Sequence, residues 1–82
     1  MLPILVVFHM TGCPHCPPVL RAASGVQGAH VLAVESDHAL CPLLQVKSYP
    51  TVVAVLPGGA FERAPSGDRS TSDLQAWLDS KA

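Results

Sequence analysis

Residues 3–16 read Pro-Ile-Leu-Val-Val-Phe-His-Met-Thr-Gly-Cys-Pro-His-Cys, and the fold follows from how this stretch divides. Pro3 to Phe8 are continuously apolar and largely β-branched, the composition of a strand covered on both faces as in parallel sheets. A turn containing Thr11, Gly12 and Cys13 ends it. Val19, Leu20, Ala23 and Val26 then recur at helical spacing, and Gly25 and Gly28 supply residues that tolerate the left-handed conformation at a helix end. Cys13-Pro14-His15-Cys16 thus stands where a strand passes into a helix.

Outward from this unit the pattern repeats. Val31 to Glu35 carry the same buried-strand signature, and Ser36 and Asp37 are placed to cap a short helix bearing Leu40, Leu43 and Leu44. Pro42 limits that helix to a turn or two. Thr51 to Leu56 read as a third strand, Pro57-Gly58-Gly59 as a turn, and Ala60 to Ala64 as a fourth strand returning antiparallel. Ser70 with Asp73 resembles a capping box, and Leu74, Trp77 and Leu78 form one apolar stripe ending near Lys81. The order is βαβαββα. Helical crossovers make the first two strands parallel and the tight turn makes the last two antiparallel, so an α/β fold with a mixed four-stranded sheet flanked by helices is expected. Residues 1–82 are read as one domain, because cores split only in much longer chains.

Composition narrows the function classes. The chain is 49% hydrophobic and 13% charged, against a globular average of ~25% charged, so it can fill a core. A formal net charge of -1 lacks the basic surplus that phosphate backbones require, and nucleic acid is not expected as a partner. No apolar run approaches the ~20 residues of a membrane span, and no membrane partner is expected. Leu2 to Phe8 have no basic flank or cleavage signature and read as a strand, which makes a cytoplasmic location the default expectation; separately, a monomer is expected. Cys13, Cys16 and Cys41 are too few, and odd in number, for a disulfide-stapled secreted domain.

Two cysteines three residues apart at a helix start share one turn, close enough to join and part without unfolding. The helix N-terminus presents N–H groups and a positive dipole end, which stabilise a thiolate at Cys13, and a protonated His15 adds to this. Pro14 holds the turn without losing a hydrogen bond, and Cys16 lies one turn deeper. Cys13 is accordingly read as nucleophile and Cys16 as resolving thiol.

With the motif placed, the chain resembles the thioredoxin superfamily from about Ile4 to Leu78. The resemblance rests on the strand leading into Cys13-Pro14-His15-Cys16, on Tyr49-Pro50-Thr51 before the third strand, and on Gly58-Gly59, Gly67, Leu74 and Leu78 in the hairpin and last helix. It implies a minimal thioredoxin-like fold, a cis-proline at Pro50 facing the cysteines, and main-chain docking of substrate at Tyr49. Cys-Pro-His-Cys is similar to the motif of periplasmic disulfide oxidants of the family, and Phe8 to Cys16 to the approach in protein disulfide isomerases. The amino-terminal strand and helix of full thioredoxins are missing, which leaves the core that glutaredoxins use. Val7 stands where the family buries an acid, and Gly12 where it has tryptophan. The glutathione-binding features of glutaredoxins are matched only loosely, by Ser66-Gly67-Asp68 and Ser70 to Asp73.

Met10, Pro14, Pro17, Tyr49 and Pro50 would form an uncharged rim around Cys13, suited to a protein disulfide or an extended peptide. The expected activity is thiol–disulfide oxidoreduction by the Cys13–Cys16 couple, with Met10, Tyr49, Pro50 and Gly67 as substrate-binding residues. No cofactor beyond the couple is expected, and the electron donor is an upstream thiol reductase or glutathione. The alternatives are a thioredoxin-like binding module in which redox chemistry is incidental, and a glutathione-dependent glutaredoxin. Cys41 is read as a buried hydrophobe, His9 as a strand-end hydrogen-bonding residue that could otherwise serve Cys16 as a base, and His30 and His38 as surface residues. A single Cys-x-x-Cys pair argues against structural zinc, so no metal is expected.

Overall fold

The structure, a computed structural model, describes residues 2–65 and 70–81. In chain order the elements are β1 (Ile4–His9), α1 (Cys16–Ser24), β2 (His30–Glu35), α2 (Leu40–Leu43), β3 (Thr51–Val55), β4 (Phe61–Arg63) and α3 (Thr71–Asp79). This is the βαβαββα order expected from the alternation of apolar runs and turn residues. The strands form one mixed sheet in the order β2-β1-β3-β4. β1 runs parallel to β2, with Ile4 beside His30 and His9 beside Glu35, and antiparallel to β3, with Phe8 beside Thr51. Gly59, at φ +91°, closes the β3–β4 hairpin by donating its N–H to the Leu56 carbonyl at 2.8 Å.

The period-2 alternation of the strands splits the core in two. Leu5, Val7, Val52 and Ala54 pack on one face against Val19, Ala22 and Ala23 of α1 and Leu74 and Leu78 of α3. Val6, Phe8 and Val53 pack on the other against Cys41 and Val46. Two nine-residue helices thus cover the first face, and a four-residue helix with its following loop covers the second. α3 begins as its sequence signals, with the Ser70 hydroxyl accepting the Asp73 N–H at 3.1 Å. Thr71 Oγ1 donates to the Ala22 carbonyl at 2.7 Å and locks α3 to α1.

Three local expectations are corrected. β2 is not covered on both faces: it is the sheet edge, and five of its six residues are exposed. Its valine-rich composition resembles that of β1, but only the strand order decides which of the two is flanked. α2 is not capped by Ser36 or Asp37, because its N-cap is Ala39, without a side-chain bond. The Leu40 N–H is accepted instead by His38 Nδ1 at 3.0 Å. At the end of α1, Gly28 takes the positive φ of +79°, while Gly25 stays right-handed and donates to the Ala22 carbonyl.

Candidate active site

The end of β1 and the start of α1 are joined by a turn that sequence composition dictates. Gly12 adopts φ +84°, a conformation that costs an L side chain about 1–2 kcal/mol, and it lets the Cys13 N–H return to the Met10 carbonyl at 3.2 Å. α1 begins at Cys16, three residues after Cys13, with His15 as an N-cap that makes no side-chain cap bond. Pro17 and Pro18 both fall in its first turn, where N–H groups have no intrahelical acceptor. They do remove two N–H donors from that end. The Cys16 N–H donates to the Cys13 carbonyl at 3.3 Å, which holds the two cysteines on one turn.

Their environments differ as the chemistry of a nucleophile and a resolving thiol would need. Cys13 is half-buried at the surface, while Cys16 is 2% exposed and faces the core. Antiparallel pairing of Phe8 with Thr51 carries residues 49–50 back beside the turn. Cys13 Sγ lies 3.7 Å from the Tyr49 carbonyl, as a thiol donor to a main-chain acceptor, and the Tyr49–Pro50 peptide bond is cis. Of the predicted site residues, Met10, Pro14 and His15 are exposed on this rim, and Tyr49 and Pro50 are half-buried beside Cys13. Gly67 lies outside the described residues. Val7 is fully buried among apolar side chains, so no acid underlies the motif at that position.

The structure adds contacts that composition did not announce. His9 Nδ1 is 3.4 Å from Glu35 Oε1, an ion pair when the imidazole is protonated. It arises because the two residues are register partners across parallel strands, and parallel register is not written in either strand alone. Cys41 is buried in the second core, and its thiol donates to the Glu35 carbonyl at 3.5 Å. A side-chain hydrogen bond with Cys41, then burial, holds the Tyr49 phenol above its ordinary pKa. Arg63 Nη2 donates to the Leu44 and Gln45 carbonyls at 2.8 and 2.7 Å, and Thr51 Oγ1 to the Ser48 carbonyl at 2.6 Å. These bonds fix the loop that presents Tyr49 and Pro50. Among the described residues, no three His, Cys, Asp or Glu side chains converge to hold a metal ion, and no helix is long and apolar enough to cross a membrane.

The J-Trx1 fragment of ERdj5 superposes with a TM-score of 0.77 at 31% identity over 98% of this chain. The chain has the thioredoxin fold. It spans 41% of that ERdj5 fragment. A thioredoxin-2 described as a component of malaria parasite protein secretion machinery has a TM-score of 0.80 and 22% identity, over 96% of this chain and 82% of its own. A thioredoxin from Thermus thermophilus has a TM-score of 0.67 and 23% identity, over 98% and 73%. No family model matches the chain, and no curated protein does. The thioredoxin fold, together with Cys13 and Cys16 lying close at the start of α1, supports a redox or disulfide-related role for this domain.

Proposed function

We propose that the domain is a thiol–disulfide oxidoreductase acting on protein or peptide disulfides. The observation that carries this reading is the asymmetry of the pair: Cys13 is half-buried beside the Tyr49 carbonyl, and Cys16 is buried one turn below it. In the first step the Cys13 thiolate attacks one sulfur of a substrate disulfide, forming a mixed disulfide and releasing the other substrate sulfur as thiolate. The Cys16 thiolate then attacks Cys13 Sγ, which forms the Cys13–Cys16 disulfide and releases the second substrate thiolate. Two electrons pass to the substrate, and solvent supplies the two protons. A thiol reductase or glutathione returns the electrons.

The rim supports a polypeptide substrate. Met10 is 44% exposed, the nearby Pro14, Pro17 and Pro18 are also exposed, and none of them carries charge. An extended peptide can lie across it, and Tyr49 offers main-chain groups for pairing.

Replacing Cys16 by Ser in the otherwise intact protein tests the order of attack. The variant should accumulate a mixed disulfide on Cys13 when mixed with a disulfide-containing protein, while Cys13→Ser should trap none. A redox titration with thiol trapping should show one reversible two-electron couple mapping to these two residues. A double Cys13→Ser, Cys16→Ser variant that keeps full partner function would sink the oxidoreductase reading in favour of a binding module.

A further inference from the structure

In the proposed second step Cys16 must attack as a thiolate, yet it is 2% exposed, and burial among apolar groups disfavours the charged form of a thiol. A nearby group has to accept its proton. Val7, fully buried on the strand beneath α1, has no atom that could.

The order of residues along helix and strand places His9 below Cys16. Because β1 and β2 are parallel, the helix that connects them runs back antiparallel to both, over the face that bears Leu5 and Val7. The inward stripe of α1, read from its amino-terminal end, is Cys16, Val19 and Ala23. By the alternation of strand side chains, the residues of β1 on that face, read from its carboxyl end, are His9, Val7 and Leu5. Helix steps of three to four residues rise about 4.5–6 Å and strand steps of two about 6.6 Å, so the two rows keep pace and Cys16 falls at the His9 end.

β2 holds the imidazole there. Glu35, the register partner of His9, brings its Oε1 within 3.4 Å of His9 Nδ1, and the His9 side chain is 18% exposed. A carboxylate at Nδ1 favours the tautomer with the proton on that nitrogen and leaves Nε2 as an acceptor. Among the described residues, no other titratable group is placed to compete. β3 contains none, and α1 carries only Cys16 and the exposed Arg21. The turn between β1 and α1 supplies Cys13 itself and the exposed His15. Cys41 packs on the opposite face of the sheet, and Asp73 and Asp79 are exposed on α3, which is tied to Ala22 and Gln27 at the far end of α1.

We infer that His9, oriented by Glu35, is the base that deprotonates Cys16, an assignment that rests on the oxidoreductase reading above. In the mixed disulfide between Cys13 and substrate, neutral His9 takes the Cys16 thiol proton, directly or through one water, as the Cys16 sulfur bonds to Cys13 Sγ. The bond from Cys13 Sγ to the substrate sulfur breaks, that sulfur leaves with the electron pair, and the imidazolium gives the proton to it. The substrate is thereby reduced, the Cys13–Cys16 pair is oxidised, and His9 ends neutral as it began. Glu35 touches no reacting atom and is a positioning residue.

Stopped-flow mixing of the fully reduced chain with a smaller amount of the chromogenic disulfide dithiobis(nitrobenzoate) separates the two steps. The first aryl thiolate released reports attack by Cys13 and depends on protein concentration; the second reports attack by Cys16 and does not. At neutral pH, His9→Gln should slow the second phase by roughly tenfold or more and leave the first within about twofold, with far-UV circular dichroism unchanged. Glu35→Gln should slow the same phase by a smaller factor. Both deficits should shrink as pH rises and hydroxide takes over the deprotonation, a convergence that a merely misplaced Cys16 would not show. Should His9→Gln misfold, Glu35→Gln carries the test by the same two readouts. A second phase that either substitution leaves unaltered, or slows equally at every pH, would overturn the inference while the oxidoreductase reading stands. A wild-type chain that releases only one thiolate would instead remove that reading, and the role of His9 with it.

Discussion

Leu74 and Leu43 are the same residue type on amphipathic helices, and the structure assigns them opposite energetic weight. Leu74 is fully buried in the core between α1, α3 and the sheet, whereas Leu43 on α2 is 73% exposed. Leu74→Ala removes three buried carbons and leaves a space that α3 cannot readily close, because Thr71 and Gln75 tie it to Ala22 and Gln27 on α1 and its following loop. Lost transfer energy and the residual cavity together cost about 3 kcal/mol, within the ~2–5 kcal/mol range for such changes. An unfolding entropy of ~2.1 cal/mol/K per residue over 82 residues gives ~0.17 kcal/mol/K, so the midpoint should fall by roughly 15–20 °C. Leu43→Ala should change stability by less than ~0.5 kcal/mol. The assay is thermal and urea unfolding followed by far-UV circular dichroism in excess reductant, which keeps the cysteines in one state across variants. A Leu74→Ala loss below ~1 kcal/mol, or equal losses for the two variants, would refute the assignment of the main core to the face under α1 and α3.

Other residues make sharper local predictions. Gly12→Ala meets no atom within 4 Å of the added Cβ, so its cost should be the backbone penalty at φ +84°, about 1–2 kcal/mol, read by urea unfolding. Arg63→Ala should cost about 1 kcal/mol and slow disulfide reduction through substrate affinity more than turnover, because it frees the 44–49 loop; Arg63→Lys, which lacks the planar fork, should not restore it. Tyr49 is the sole tyrosine, so its absorbance titration should have a midpoint above the ordinary ~10, and Cys41→Ala should bring it back toward that value. Since the folded state holds this proton more tightly, the associated stability is complete below the unfolded pKa and is lost as pH rises through the raised folded one.

Local chemistry made much of the architecture legible in advance. Gly12, Gly59 and the Ser70 cap are places where one residue type suits one backbone conformation or one orphan N–H, and the strands and helices fall between such punctuation. The cysteine pair was legible for the same reason, since a spacing of three at a helix start places both residues on one turn wherever the chain lies in space. Glu35 was not legible as a partner of His9, nor Arg63 as the anchor of residues 44 and 45, because those contacts join segments whose relative register no local pattern encodes.

The sequence by itself determined the element order, the turn geometry and the presence of a Cys-x-x-Cys motif between strand and helix, all consequences of interactions within a few residues. Tertiary structure alone decided that β1 is central and β2 is an edge, that pairing of Phe8 with Thr51 brings the Tyr49 carbonyl to Cys13 Sγ, and that Cys41 touches both Glu35 and Tyr49. Strands of nearly the same composition, such as β1 and β2, can occupy either position. Which one is covered depends on how all four strands share two helix-packed faces, a choice made by the whole core at once.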